Sequence, residues 1–224
     1  GVLFKSFGAN PNVFIFTNFL LHTINLILLF TIVRSLTKKD FTAFFATVLF
    51  NKLYLFYFSN IHEYLGVSFC LFAVLMFLRF PKKIYLSLAA YILALFSKEI
   101  TYTLPFLLLA LSYINKTDKK KTIPFFVILA GYIIYQSFFV LNAKGLPSNY
   151  TYELLFSVNN LIKNLVFYFN PFLLVLFGVF PLLTKKYKPL FILGVSFLTL
   201  LPALFLANRR EMYYLYLPIT YILI

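Results

Sequence analysis

The chain has 224 residues, 62% of them hydrophobic and only 12% charged, with a formal net charge of +14. That balance excludes a water-soluble domain of this size, and apolar runs without alternation exclude the strands of a transmembrane β-barrel, so an all-α, polytopic bundle of membrane-spanning helices is expected. A single cysteine, Cys70, excludes a disulfide framework and a thiolate metal site and is expected to pack between helices.

In such a chain the positive charge speaks for membrane topology rather than for nucleic acid. Apolar spans are expected at 14–36, 41–58, 64–80, 84–97, 100–114, 123–143, 164–184, 189–207 and 212–224, within one transmembrane domain. The chain starts at Gly1 and stops inside an apolar stretch, so it reads as a piece of a longer protein. No basic segment of the kind that opens a cleavable signal peptide precedes the first span.

The first span carries Asn18, His22 and Asn25, whose spacings of four and three place them on one helical face. The stripe either bonds to a neighbouring helix or forms the wall of a substrate cavity; His22 lacks partners at metal-ligand spacing. After the second span, His62-Glu63 falls in a short turn. It is either a solvated interfacial turn or a carboxylate, held by the imidazole, at a water-accessible cavity.

Ser97-Lys98-Glu99 interrupts the apolar run from Ile84 to Ile114. Opposite full charges in hydrocarbon are costly, so they sit either at a reversal between two short helices or inside one long tilted helix. Basic residues decide between the two. If each span crosses once, 13 of the 20 basic residues gather on one side, Arg34, Lys38, Lys39, Arg79, Lys82, Lys83 and the Lys116–Lys121 cluster among them. The positive-inside rule makes that side cytoplasmic, and a single crossing over 84–114 would put the Lys116–Lys121 cluster on the wrong side. A break at Ser97–Glu99 facing outward is therefore expected. Lys98 and Glu99 then form a local ion pair, or Lys98 binds an anionic head group that Glu99 orients.

Glu63, Glu99, Glu153 and Glu211 fall on the outer side and only Asp40 and Asp118 on the inner one. Acidic residues contribute little to topology, so the bias points to chemistry or binding outside. The longest outer connection, 144–163, has Leu154, Leu155, Val158, Leu161 and Ile162 at helical spacing, the pattern of an amphipathic helix lying on the membrane. Near the end stand Arg209, Arg210 and Glu211, then Tyr214 and Tyr216. Arginine grips phosphate bidentately, and the tyrosines belong either to that site or to the interfacial aromatic belt.

Cations and carboxylates at one membrane surface, above a body rich in phenylalanine, suit a ligand with a phosphate and a long apolar tail. A polyprenyl-phosphate sugar is such a ligand. A carboxylate would act as general base on an acceptor hydroxyl, and the cations would stabilise the departing phosphate.

The stretch Asn18-Phe-Leu-Leu-His22-Thr-Ile-Asn25 resembles the N-x-x-x-H-x-x-N signature of GT-C membrane glycosyltransferases, and the nearest branch is that of the protein O-mannosyltransferase-like proteins, including those that carry tetratricopeptide repeats. Ser97-Lys98-Glu99 with Thr103-Leu104-Pro105 resembles that branch's S-K-E…T-L-P motif, and Tyr214-Leu215-Tyr216-Leu217-Pro218 its Y-L-Y-L-P motif. Two departures stand out. The family's Glu-Arg before Y-L-Y-L-P falls on Met212-Tyr213, and Glu63 stands where relatives have an R-x-D acid.

The resemblance implies an inverting transfer of a mannose-like hexose from a polyprenyl-phosphate donor to a protein or glycan acceptor on the non-cytoplasmic face. It also implies that the principal catalytic acid lies upstream of this chain. Glu63 and Glu99 are the expected catalytic or acceptor-positioning residues. His62, Lys98, Arg209, Arg210, Glu211, Tyr214 and Tyr216 are the expected substrate contacts, with Asn18, His22 and Asn25 as cavity wall. No cofactor is signalled, and a divalent-metal requirement is left open. Abundant Phe, Ile, Lys and Asn fit an AT-rich bacterial genome, so a multi-pass protein of a bacterial cell membrane is expected. The alternatives are a transporter or flippase of a lipid-linked saccharide, and a non-catalytic scaffold.

Overall fold

The computed structural model describes residues 10–54, 61–142 and 158–168, with 217, 221 and 224. The described residues are helical and include no β-strand. We number the α-helices α1 (Pro11–Thr37), α2 (Asp40–Tyr54), α3 (Ile61–Arg79), α4 (Ile84–Ser97), α5 (Leu104–Ile114), α6 (Ile123–Asn142) and α7 (Val158–Tyr168). Among the described residues, three segments are long and apolar enough to cross a membrane: Pro11–Thr37, Ile61–Arg79 and Lys119–Phe138. The other expected spans are shorter helices or fall on residues outside the described set.

Local chemistry explains the boundaries. Asn10 caps α1 through its side-chain oxygen, which accepts from the Asn12 N–H at 3.0 Å, and Pro11 occupies the first turn, where its missing N–H costs nothing. The helix stops at Lys38, which is left-handed at φ 60° and donates its N–H to Arg34 O. A side chain in that conformation is strained by about 1–2 kcal/mol, and glycine relieves it. Lys38→Gly is expected to raise the unfolding midpoint in detergent slightly, by the equivalent of about 1 kcal/mol.

Hydroxyls on lipid-length helices bond back to the carbonyl four residues earlier: Thr23 to Phe19, Thr31 to Ile27, Ser137 to Ile133. That is how an exposed hydroxyl is satisfied where water is scarce. Around them large apolar side chains stand outward, among them Phe16, Phe19, Ile27, Phe44, Phe45 and Phe96. A patch of this kind fits hydrocarbon, not water.

The chain divides into two units, one reaching Leu104 and one starting at Pro105. In the first, α1 packs on α2 and on α3, and α3 packs on α4. Contacts fix the directions. His22 meets Asn51 while Arg34 meets Asp40, so α1 and α2 are antiparallel. Asn25 meets Tyr64 while Arg79 meets Ser35, so α1 and α3 run parallel. Ser87 bonds Ala73 O and Lys98 lies against Gly66, so α3 and α4 are antiparallel.

This arrangement sorts charge between the two ends of the unit. Arg34, Lys38, Lys39, Arg79, Lys82 and Lys83 share one end; Glu63 and Lys98 share the other. Between them lies a tightly packed interior of Leu29, Ile32, Ala73, Val74, Tyr91 and Ala94, with Cys70 also buried.

The second unit contains α5, α6 and α7. Phe106 and Phe126 meet edge to face at 5.2 Å. Asp118 caps the 3-10 turn Lys119–Thr122 by accepting from the Lys120 N–H. The surface helix expected within 144–163 falls partly outside the described residues. From Val158 it is helical and continues to Tyr168, past the expected limit at 163, with Asn164 buried and Ile162 and Val166 exposed. The apolar spacing carries on beyond Lys163, so nothing local stops the helix there.

Candidate functional site

The site centres on the break after α4. Ser97 ends that helix, Lys98 is extended (φ −157°, ψ 130°), and Glu99–Thr103 form a 3-10 turn that leads into α5. Pro105 gives a reason for the turn. With no N–H of its own, it cannot take the Thr101 carbonyl in the α pattern, and the Leu104 N–H takes that carbonyl instead. The break is tied down on both sides. The Lys98 N–H donates to Ala94 O at 3.0 Å, and the Thr101 hydroxyl donates to Lys98 O at 2.7 Å.

Lys98 Nζ lies 3.0 Å from Glu63 Oε1, with side chains 10% and 3% exposed. Two expected site residues, distant in sequence, thus meet in an ion pair largely withdrawn from solvent. The turn expected at His62-Glu63 is corrected here. Helix α3 begins at Ile61, so both residues lie in its first turn, His62 exposed and Glu63 buried. An acid in the first turn is favoured by the helix dipole, and consecutive helical residues point about 100° apart, so one turns outward while the other turns in. Glu63 is held by an ammonium from another helix end rather than standing at a solvated turn.

Gly66 lets the break approach α3 closely. A Cβ at that position would lie 3.2 Å from Lys98 Cβ and 3.3 Å from Thr101 Cγ2. Glu63 and Gly66 are three apart and share a helical face, so the missing side chain at Gly66 seats the break directly beneath the carboxylate.

The polar stripe of α1 lies nearby in the same unit. Asn18, His22 and Asn25 are all buried. His22 Nε2 is 3.1 Å from Asn51 Oδ1 of α2, and its ring stacks on Phe50 and meets Tyr64 edge-on, each at 5.8 Å. Asn25 Nδ2 donates to Tyr64 O at 3.1 Å, a carbonyl that also receives the Ser68 hydroxyl at 2.8 Å. The stripe therefore bonds to both neighbouring helices, and its Tyr64 contact lies one residue from Glu63. Between α1 and α2 an apolar groove of about 340 Å³, lined by Leu26, Ile27, Phe30, Phe44 and Val48, reaches Asn51.

Glu99 opens the 3-10 turn, but its side chain is outside the described residues. Arg209, Arg210, Glu211, Tyr214 and Tyr216 are outside them too. Among the described residues no group of three or more His, Cys, Asp and Glu is placed to hold a metal ion. Sequence reasoning missed Asn51, Gly66 and Thr101. A lone amide and a lone glycine inside apolar runs were the available signals. Comparison with protein-family models, with curated proteins and with solved structures finds no match.

Proposed function

We propose that the chain belongs to a multi-pass integral-membrane glycosyltransferase of the GT-C type. It would move a mannose-like hexose from a polyprenyl-phosphate donor to a protein or glycan acceptor on the outer face of a bacterial cell membrane. The observation that carries this reading is the buried Lys98–Glu63 pair, a cation and a carboxylate gathered beside a helix break. It lies at the end of the unit opposite the basic residues, which the positive-inside rule makes the non-cytoplasmic end.

In the proposed reaction the acceptor hydroxyl attacks the anomeric carbon as a carboxylate takes its proton. The bond from that carbon to the phosphate oxygen breaks, and the lipid phosphate leaves with its charge held by Lys98. Glu63 and Glu99 would position sugar and acceptor. Asn18, His22 and Asn25 hold the helices that frame the site. The groove between α1 and α2 matches the apolar character of the lipid tail.

The test is sugar transfer from a labelled polyprenyl-phosphate donor by the full-length protein in detergent. Lys98→Ala is expected to lower turnover by about 100-fold or more, the usual effect of losing one charge-stabilising donor. Unchanged turnover in both Lys98→Ala and Glu99→Ala would remove the roles assigned to them. Movement of the labelled lipid across vesicles without sugar transfer would replace the enzyme by a flippase.

A further inference from the structure

We infer that Glu63 is a built-in competitor for the anion at Lys98, so that this ion pair sets how tightly a phosphate monoester binds at the break. The inference rests on the reading of Lys98 as the phosphate contact. In this structure the ammonium is already engaged at 3.0 Å by a carboxylate that is 3% exposed. An incoming phosphate must either displace Glu63 from Lys98 or share the ammonium with a like charge close by. Both cost binding free energy, because the attraction and the repulsion act where water screens them weakly.

The two partners differ in freedom to move. Glu63 stands on the first turn of a regular helix, with Tyr64, Gly66 and Val67 buried behind it. Lys98 is the extended residue between α4 and the 3-10 turn, on a flexible four-carbon stem. Its backbone is held by Ala94 O, by the Thr101 hydroxyl and by the close contact at Gly66. Exchange is therefore a swing of the lysine head from carboxylate to phosphate, with the backbone of the break in place.

A binding residue and a competitor give opposite signs on mutation. The experiment is titration of purified full-length protein, in a neutral detergent, with a short-chain isoprenyl monophosphate. Glu63→Gln keeps the shape and removes the charge; it is expected to tighten binding about tenfold. Glu63→Asp keeps the charge on a shorter arm, loosens the pair and is expected to fall between wild type and Glu63→Gln. Lys98→Gln is expected to weaken binding about tenfold or more, and Glu63→Gln added to it should tighten binding by less than it does in wild type, because only the like-charge repulsion is left to relieve.

Equal or weaker binding in folded Glu63→Gln overturns the inference. Should that variant fail to fold, Glu63→Asp decides: tightening supports competition, and no tightening ends it. The enzyme reading stands or falls separately. Tightened binding with no sugar transfer by wild type sinks the transferase and keeps the competitor; transfer without tightening does the reverse.

Discussion

Lys98→Ala is expected to destabilise the protein by about 3–5 kcal/mol, because it strands the Glu63 carboxylate without its ammonium. Glu63 is 3% exposed and sits in the first turn of a helix, so it cannot easily turn to solvent. The double change Glu63→Leu with Lys98→Met replaces the charges by apolar groups of similar volume. It is expected to restore stability to the wild-type level or above, since a buried pair rarely outweighs the desolvation of both its members. Denaturant titration in detergent reads both. A double variant as unstable as Lys98→Ala would mean that volume or another contact, not the pairing, holds the break. Because the double variant keeps the fold and removes the charges, its sugar transfer should stay at the Lys98→Ala level.

Gly66→Leu is expected to cost about 1–3 kcal/mol, the usual penalty for overpacking, and to lower turnover along with it. The first carbon of a new side chain already meets Lys98 Cβ at 3.2 Å and Thr101 Cγ2 at 3.3 Å, and leucine adds further carbons beyond it. Both obstacles belong to the tethered break, so the break must move away from α3 and take the ammonium with it. Gly66→Ala separates packing from propensity. It needs a shift of only a few tenths of an ångström and gains about 0.5–1 kcal/mol from replacing glycine inside a helix. Its stability should lie near wild type while Gly66→Leu falls well below. Equal stability of the two variants, measured by the same titration, would show that the contact at Gly66 has room to spare.

How much of this was legible beforehand depends on whether a feature is local. Among the described residues the apolar runs coincide with α1 to α6, and the end of α4 at Ser97 coincides with the only polar triplet between Ile84 and Ile114. The shared face of Asn18, His22 and Asn25 follows from spacing alone. Their partners do not. Asn51 is on another helix, and the Tyr64 carbonyl is backbone that every residue carries. The partner of Lys98 was hidden in the same way. Glu99 adjoins it, whereas Glu63 reads as a turn residue, solvated or at a water-accessible cavity, because the sequence places the start of α3 at residue 64 rather than Ile61. A shift of three residues at one helix end turned a surface acid into a buried one. Gly66 carried a signal that was overlooked, since glycine in an apolar helix often marks a close approach by a neighbour.

The length of α4 has a consequence for the surrounding lipid. Its 14 residues rise only about 21 Å, against about 30 Å of hydrocarbon in an ordinary bilayer. In the orientation proposed, a bilayer of ordinary thickness would have to thin at this corner for both ends of α4 to reach its surfaces. Thicker bilayers of longer-chain lipids resist that deformation. Acyl-chain length would then be a dial on the proposed reaction, turned without altering a single residue.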